Sequence, residues 1–376
     1  MLDRRSDELR RSSNPLYNDR KLKLGTFSSN LSGGCAITTI DGVLEATWPQ
    51  TLELARMADE MEFEALVPVG RWKGFGGVTN FNGAGFECLS WAAGIAAATS
   101  RCGIFSTTHV PTIHPVMAAK QVTTIDHISG GRFALNIVTG WYTGEIDMFG
   151  EALMDHDQRY DRAQEWLEII KRLWTEDKEF DYLGRYYQVR KGWLAPKPLQ
   201  EPYPVVMCAG GSGKGRDFAA RHCDVAFVAC NTQDLDETRA RVADYRRYAR
   251  EEYGRDLMIW SNAYIVQAET EREAREFHHH YVYEKGDWEA ATNLVETMGA
   301  LTGIMTPEIL RGMKANFIGG WGGYPLIGTR DQVVDGLRMM AGLGLDGTLL
   351  SWPRYAAGMR QFQTETLPLL KQAGLR

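Results

Sequence analysis

The feature that most constrains this chain is one alternation, repeated along almost its whole length. A short apolar run is followed by a stretch with apolar residues at helical spacing. Residues 22–27, 65–69, 103–108, 133–138, 204–208, 224–229, 258–266 and 347–351 read as strands. Residues 48–63 carry Leu52, Leu54, Ala55, Ala58 and Met61 at the period of a helix. Residues 86–98, 114–128, 157–174, 212–221, 235–253, 271–283 and 359–371 continue the helical pattern, with an extra helix at 332–343. Strands apolar on both faces and joined by helices belong to a parallel sheet. Eight such units favour closure into a (β/α)8 TIM barrel over an open doubly wound sheet.

Building eight units takes the whole chain, so the expected organisation is a single barrel domain over residues 22–376. Residues 1–21 are charged and read as a surface N-terminal arm, one that packs on a partner subunit. Residues 70–85 are glycine-rich, and residues 287–326 fit no strand. Both are expected as insertions at the C-terminal face, where barrel active sites lie, the second as a mobile lid.

A hydrophobic share of 44% and a charged share of 24% supply a core and exclude a disordered chain. Lys plus Arg total 42 against 48 Asp plus Glu, a net charge of −6. That balance argues against nucleic acid or an anionic membrane as a partner. The six cysteines form no C-x-x-C pair and read as buried free thiols. The first 21 residues contain no apolar signal-peptide core, and no apolar run reaches the ~18 residues of a membrane span. A cytoplasmic location is the expectation.

Several motifs carry candidate chemistry. Ala209-Gly-Gly-Ser-Gly-Lys-Gly215 follows a strand and opens a helix, but it fits neither a Walker A loop nor G-x-G-x-x-G. Either its N–H groups and Ser212 hold one phosphate at the helix start, or it is a tight turn that binds nothing. Asn136 and Thr139 end a strand beside Trp141; a carboxamide suits a ring with carbonyl and N–H edges, or it caps its own loop. His156-Asp-Gln-Arg159-Tyr160 opens a helix and offers an acid, base or phosphate contact, or merely a cap. Thr107, Thr108 and His109 end another strand. Trp141, Trp321 and Tyr324 are the aromatics expected near a ligand. His278, His279 and His280 point about 100° apart on a helix, so they cannot share one metal ion and read as a solvated face. No catalytic-triad, zinc or paired-carboxylate motif is present, and no metal site is expected.

Taken together, Lys73-Gly-Phe-Gly-Gly77, Ala119-Lys-Gln-Val-Thr-Thr-Ile-Asp126, Ser129-Gly-Gly-Arg-Phe133, Asn136-Ile-Val-Thr-Gly-Trp141, His156-Asp-Gln-Arg-Tyr160, Pro196-Lys-Pro-Leu-Gln200 and Ala209-Gly-Gly-Ser212 resemble the bacterial-luciferase-like flavin monooxygenases. Within that family the chain is most similar to the two-component dimethylsulfone, alkanesulfonate and pyrimidine monooxygenases. The resemblance implies FMN, used as FMNH2, and O2, one atom of which enters a small organosulfur or pyrimidine-like substrate through a flavin peroxide. It implies a separate NAD(P)H:FMN reductase and a homodimer or homotetramer. It implies flavin contacts at Val67, Gly70, Arg71, Thr107, Asn136, Glu145, Arg159, Tyr160, Gly211 and Ser212. Catalytic roles fall to Thr107, Asn136, Trp141, His156 and Arg71. The sequence departs from the pyrimidine pattern at Arg71, where that branch has Lys, and at Gly211, where it has Gln. The alternatives are an F420-dependent oxidoreductase and a non-catalytic flavin-binding protein on the same barrel.

Overall fold

Burial on both faces is what the strand sequences require, and the structure supplies it. In the computed structural model, which describes residues 10, 12–230, 234–299 and 305–376, every residue of Gly103–His109 and of Gly347–Ser351 is buried. The strands are β1 (Lys23–Phe27), β2 (Ala65–Val67), β3 (Gly103–His109), β4 (Phe133–Val138), β5 (Phe180–Leu183), β6 (Gln188–Gly192), β7 (Val205–Cys208), β8 (Val225–Phe227), β9 (Met258–Gln267), β10 (Tyr324–Gly328) and β11 (Gly347–Ser351). Parallel pairing runs β1-β2-β3-β4-β7-β8-β9-β11 and back to β1, which closes a barrel. The eight strands forecast from the sequence are these eight. β5 and β6 form an antiparallel hairpin outside the barrel.

Helices cover the barrel and put their apolar stripes on it. Trp48–Glu60 buries Leu54, Ala55 and Ala58; His156–Thr175 buries Trp166, Leu167, Ile169 and Ile170. Their limits follow local chemistry. Pro115 opens helix Pro115–Ser129 under the His114 cap, and Gly130 ends it in the left-handed region at φ 65°. All six cysteines are buried free thiols. No helix among the described residues is long and apolar enough to cross a membrane.

Three expectations are corrected. Residues 1–9 and 11 of the arm lie outside the described residues; of the remainder Ser12, Asp19 and Lys21 are exposed, but Arg10, Asn14 and Leu16 are buried. Leu16 is fully buried in a cluster with Ala65, Ala134, Val205 and Val225, at the N-terminal ends of the strands. Asn14 donates to the Phe133 carbonyl at 3.3 Å, and Arg10 pairs with Asp224. The arm stoppers the barrel because Leu16 completes an interior that the strands alone leave short of apolar volume.

Residues 287–326 are not strandless either. They hold helices Trp288–Thr297 and Pro307–Gly320 and the start of β10. β10 pairs with Ala263–Gln267, the part of β9 that runs beyond its partner β8, while Ala263 and Tyr264 stay paired with β11 on the other edge. Finally, the histidine run is not uniformly solvated. His278 stacks on Tyr264 with rings 5.9 Å apart and shares a 3.1 Å hydrogen bond with its hydroxyl, while His280 meets Glu284 at 2.8 Å. The helix ends at His279 and continues as a π turn over His280–Glu284.

Candidate active site at the barrel mouth

The mouth is shaped first by the backbone. Beyond β2, Asn30 takes the Val69 N–H and donates to the Val69 carbonyl, both at 2.9 Å, and so fixes the next residues. Gly70 passes directly over the end of β3. A Cβ there would stand 2.9 Å from the Thr107 carbonyl oxygen and 2.9 Å from His109 Cε1, so glycine is what permits this approach.

Thr107 and Asn136 face each other in register on β3 and β4. Asn136 Nδ2 donates to Thr107 Oγ1 at 3.0 Å, and the Thr107 hydroxyl donates to the Pro68 carbonyl. This chain of donors fixes the amide, with Nδ2 inward and Oδ1 free. Asn136 Oδ1 is buried and has no partner. A buried acceptor in that state is costly unless a ligand donor meets it. Val67, by contrast, is sealed in the barrel interior at 1% exposure.

Arg71 and Glu145 are charged side chains drawn fully into the mouth. The Arg71 guanidinium lies 4.9 Å from the Phe75 ring, 5.1 Å from Trp141, 5.9 Å from Tyr142 and 5.9 Å from Trp321. Glu145 Oε1 stands 3.2 Å from Nη1, a charge contact rather than an aligned hydrogen bond, and accepts the Trp72 N–H at 2.6 Å. Burial lowers the Arg71 pKa from the ordinary arginine value, opposed by Glu145. A cavity of about 260 Å³ adjoins Gly70 and Arg71, with Thr107, His109, Cys88 and Gln121 among its walls. His109 is 5% exposed; burial, reinforced by the Arg71 charge, lowers its pKa to about 3 and keeps the ring neutral.

A second cleft, of about 360 Å³, opens between β4 and β7 and is lined by Thr139, Trp141, His156, Arg159, Tyr160 and Gly210. Ser212 caps helix Gly213–His222 by accepting the Gly215 N–H at 3.0 Å. Gly210 and Gly215 crowd around Tyr160: a Cβ on either would stand within 2.8 Å or 2.6 Å of its hydroxyl. Burial raises the Tyr160 pKa to about 12, so the phenol stays a donor. Arg159 gives Nη1 to the Gly140 carbonyl, while its buried Nε has no partner. At Gly211 a Cβ would meet nothing within 4 Å, which leaves the loop open at that point.

The residues singled out from the sequence therefore fall into two neighbouring groups. Gly70, Arg71, Thr107, Asn136, Trp141 and Glu145 surround the first, and His156, Arg159, Tyr160, Gly211 and Ser212 the second. Val67 joins neither. His156 is on the rim, its side chain 46% exposed and paired with Asp157 at 2.9 Å. Trp321 reaches Arg71 and Phe75, but Tyr324 stands in β10 against the outer core. Sequence reasoning missed Asn30, Tyr142 and Gln121. Only Tyr142, next to Trp141, had a visible neighbour to point to it. No group of three or more His, Cys, Asp or Glu among the described residues is arranged to hold a metal ion.

A closed parallel barrel with polar side chains gathered at the C-terminal ends of β3, β4 and β7, beside a capped helix start, has the form of a barrel enzyme that takes a phosphorylated cofactor. The chain belongs to the luciferase-like monooxygenase family, whose model matches residues 23–347. It is similar to the FMNH(2)-dependent dimethylsulfone monooxygenase of Pseudomonas putida, 29% identical over 356 residues, 93% of this chain and 96% of the relative. It is also similar to the pyrimidine monooxygenase RutA of Klebsiella pneumoniae subsp. pneumoniae, 30% identical over 358 residues, again 93% and 96%. Among solved structures the long-chain alkane monooxygenase LadA shares the fold with a TM-score of 0.81 at 20% identity, covering 95% of this chain and 92% of that one.

Proposed function

We propose that this chain is a two-component monooxygenase that takes reduced FMN and O2 and places one oxygen atom on a small organic molecule, an organosulfur compound or a pyrimidine. The observation that carries the reading is the pairing of a buried, unmet Asn136 Oδ1 with the capped helix start at Ser212. Flavin fits both. Its ring edge has an N–H for Asn136, and its phosphate suits Ser212, the Tyr160 hydroxyl and the free Arg159 Nε. The names of the relatives, one an FMNH(2)-dependent enzyme, support the same cofactor.

When bound, reduced flavin supplies the electrons for oxygen activation. The protein's own part is to hold and exclude. Thr107 and Asn136 fix the polar edge of the site. Gly70 lets the loop pass close over the end of β3, beside Thr107 and His109. Helices Trp288–Thr297 and Pro307–Gly320, with Trp321 against Arg71, serve as the cover over the mouth. His156, on the rim, contacts the cofactor's phosphate end rather than the reacting atoms. A separate NAD(P)H:FMN reductase delivers the reduced flavin, and the working form is a cytoplasmic homodimer or homotetramer.

Anaerobic titration with FMNH2 beside aerobic titration with FMN, both followed by fluorescence, tests this. Binding of the reduced form at least tenfold tighter supports an oxygenase fed by a reductase. Equal, tight binding of both forms, with no turnover, overturns it in favour of a flavin-holding protein.

A further inference from the structure

Arg71 keeps donors that nothing in the protein meets. Its side chain is 2% exposed, yet Nε and Nη1 are buried without a hydrogen-bond partner. Native structures tolerate such donors chiefly where a ligand or ordered water completes them. Its charge, in contrast, is already answered by Glu145 at 3.2 Å and by the four surrounding rings.

The adjoining cavity adds no further positive charge. His109 is neutral there, and Glu87, also on its wall, accepts the Leu89 and Ser90 N–H groups at 2.8 Å each as cap of helix Cys88–Ala98. The charged groups around the space are thus one guanidinium and two carboxylates. Glu87 is exposed and its charge is screened, so the carboxylate that counts is Glu145, buried against Arg71. An anion placed there would set a second negative charge beside it out of water, where like charges repel strongly. A neutral molecule with acceptor oxygens satisfies Nε and Nη1 without that penalty. At about 260 Å³ the space suits a compact molecule.

We propose that the chamber between the ends of β2 and β3 is the substrate subsite, and that Arg71 selects a small neutral molecule bearing acceptor oxygens, such as a sulfone or a carboxamide, over an anion of the same size. The proposal rests on the flavin reading for the reaction that follows; the binding preference rests on the chamber.

Dimethylsulfone and methanesulfonate differ only by a methyl group against a charged oxygen, and acetamide and acetate form a second such pair. Their binding to the full chain, with and without FMN, can be titrated by ligand-observed NMR. The neutral member of each pair is expected to bind at least tenfold tighter. Arg71→Lys, which keeps the charge and loses Nε–H, should weaken dimethylsulfone binding about tenfold. Glu145→Gln, which removes one of the two carboxylates, should close most of the gap between dimethylsulfone and methanesulfonate. Thermal melts and FMN titration of each variant establish that it is folded.

Anions binding as well as their neutral partners would overturn the proposal, as would failure of all four probes to bind or a selectivity untouched by Glu145→Gln. Neutral selectivity in a protein that does not bind flavin would sink the flavin reading alone. Flavin binding with reversed selectivity would sink only the present inference.

Discussion

At the scale of single residues, the site is built from side chains whose hydrogen bonds are deliberately incomplete. Asn136 spends Nδ2 on Thr107 and leaves Oδ1 unmet. Asn136→Ala should therefore weaken FMNH2 binding roughly tenfold, in line with ~1.4 kcal/mol for a lost buried hydrogen bond. Anaerobic fluorescence titration reads this directly. Unchanged affinity with coupled product formation would remove Asn136 from the site. Gly70→Ala tests the backbone instead. The new methyl group meets the Thr107 carbonyl at 2.9 Å and must push it aside, at a cost of about 1–3 kcal/mol, visible as a lowered Tm. Asn136 and Thr107 were legible as polar side chains at strand ends as well as by family resemblance, Arg71 by resemblance alone. Glu145 came from resemblance alone, and as a flavin contact rather than as the partner of Arg71, because spacing cannot show that a residue 74 positions away folds back to within 3.2 Å. Asn30 gave no signal at all: its work is done on the main chain of Val69, and that needs the fold to be seen.

Among the elements, the helix start at Ser212 has two duties that substitution can separate. As the cap of Gly213–His222 it accepts the Gly215 N–H, and Ser212→Ala should cost about 1 kcal/mol of stability. As a phosphate contact it should matter for FMN and not for riboflavin, which lacks the phosphate. Ser212→Ala is expected to lower FMN affinity severalfold while leaving riboflavin binding unchanged in the same titration. An equal loss for both ligands would reduce Ser212 to a structural cap. The barrel strands were readable because they are apolar on both faces and lie between strongly periodic helices. β10 was not: Gly322, Gly323 and Pro325 are loop signals, and the segment becomes a strand only because β9 runs past β8 and leaves Ala263–Gln267 an open edge on that side. The histidine run misled for a related reason. Helical spacing tells which residues share a face, but not that Tyr264 would be waiting beneath His278.

For the molecule as a whole, the arm that fills the base of the barrel is a stability element. Leu16→Ala should destabilise the fold by about 2–5 kcal/mol, because Leu16 is fully buried, while leaving FMN affinity unchanged in the folded protein. Denaturant melts and flavin titration together check it. Stability should also depend on pH through histidines that burial keeps neutral, His109 and His222 most strongly, with His278 also lowered, to about 4. His109 and His222 each drop from 6.5 to about 3 in the folded chain. Between those values the unfolded chain holds more protons than the folded one, so stability is intact above pH 6.5 and is lost as the pH falls. Each histidine contributes a slope of up to ~1.4 kcal/mol per pH unit. The Tm should fall steeply below pH 6, and His222→Gln should flatten the curve. Leu16 closes the base of a barrel whose interior is already filled by Val67, Phe105, Met207, Trp260 and Leu349. A guest therefore has the rim for both its entry and its exit.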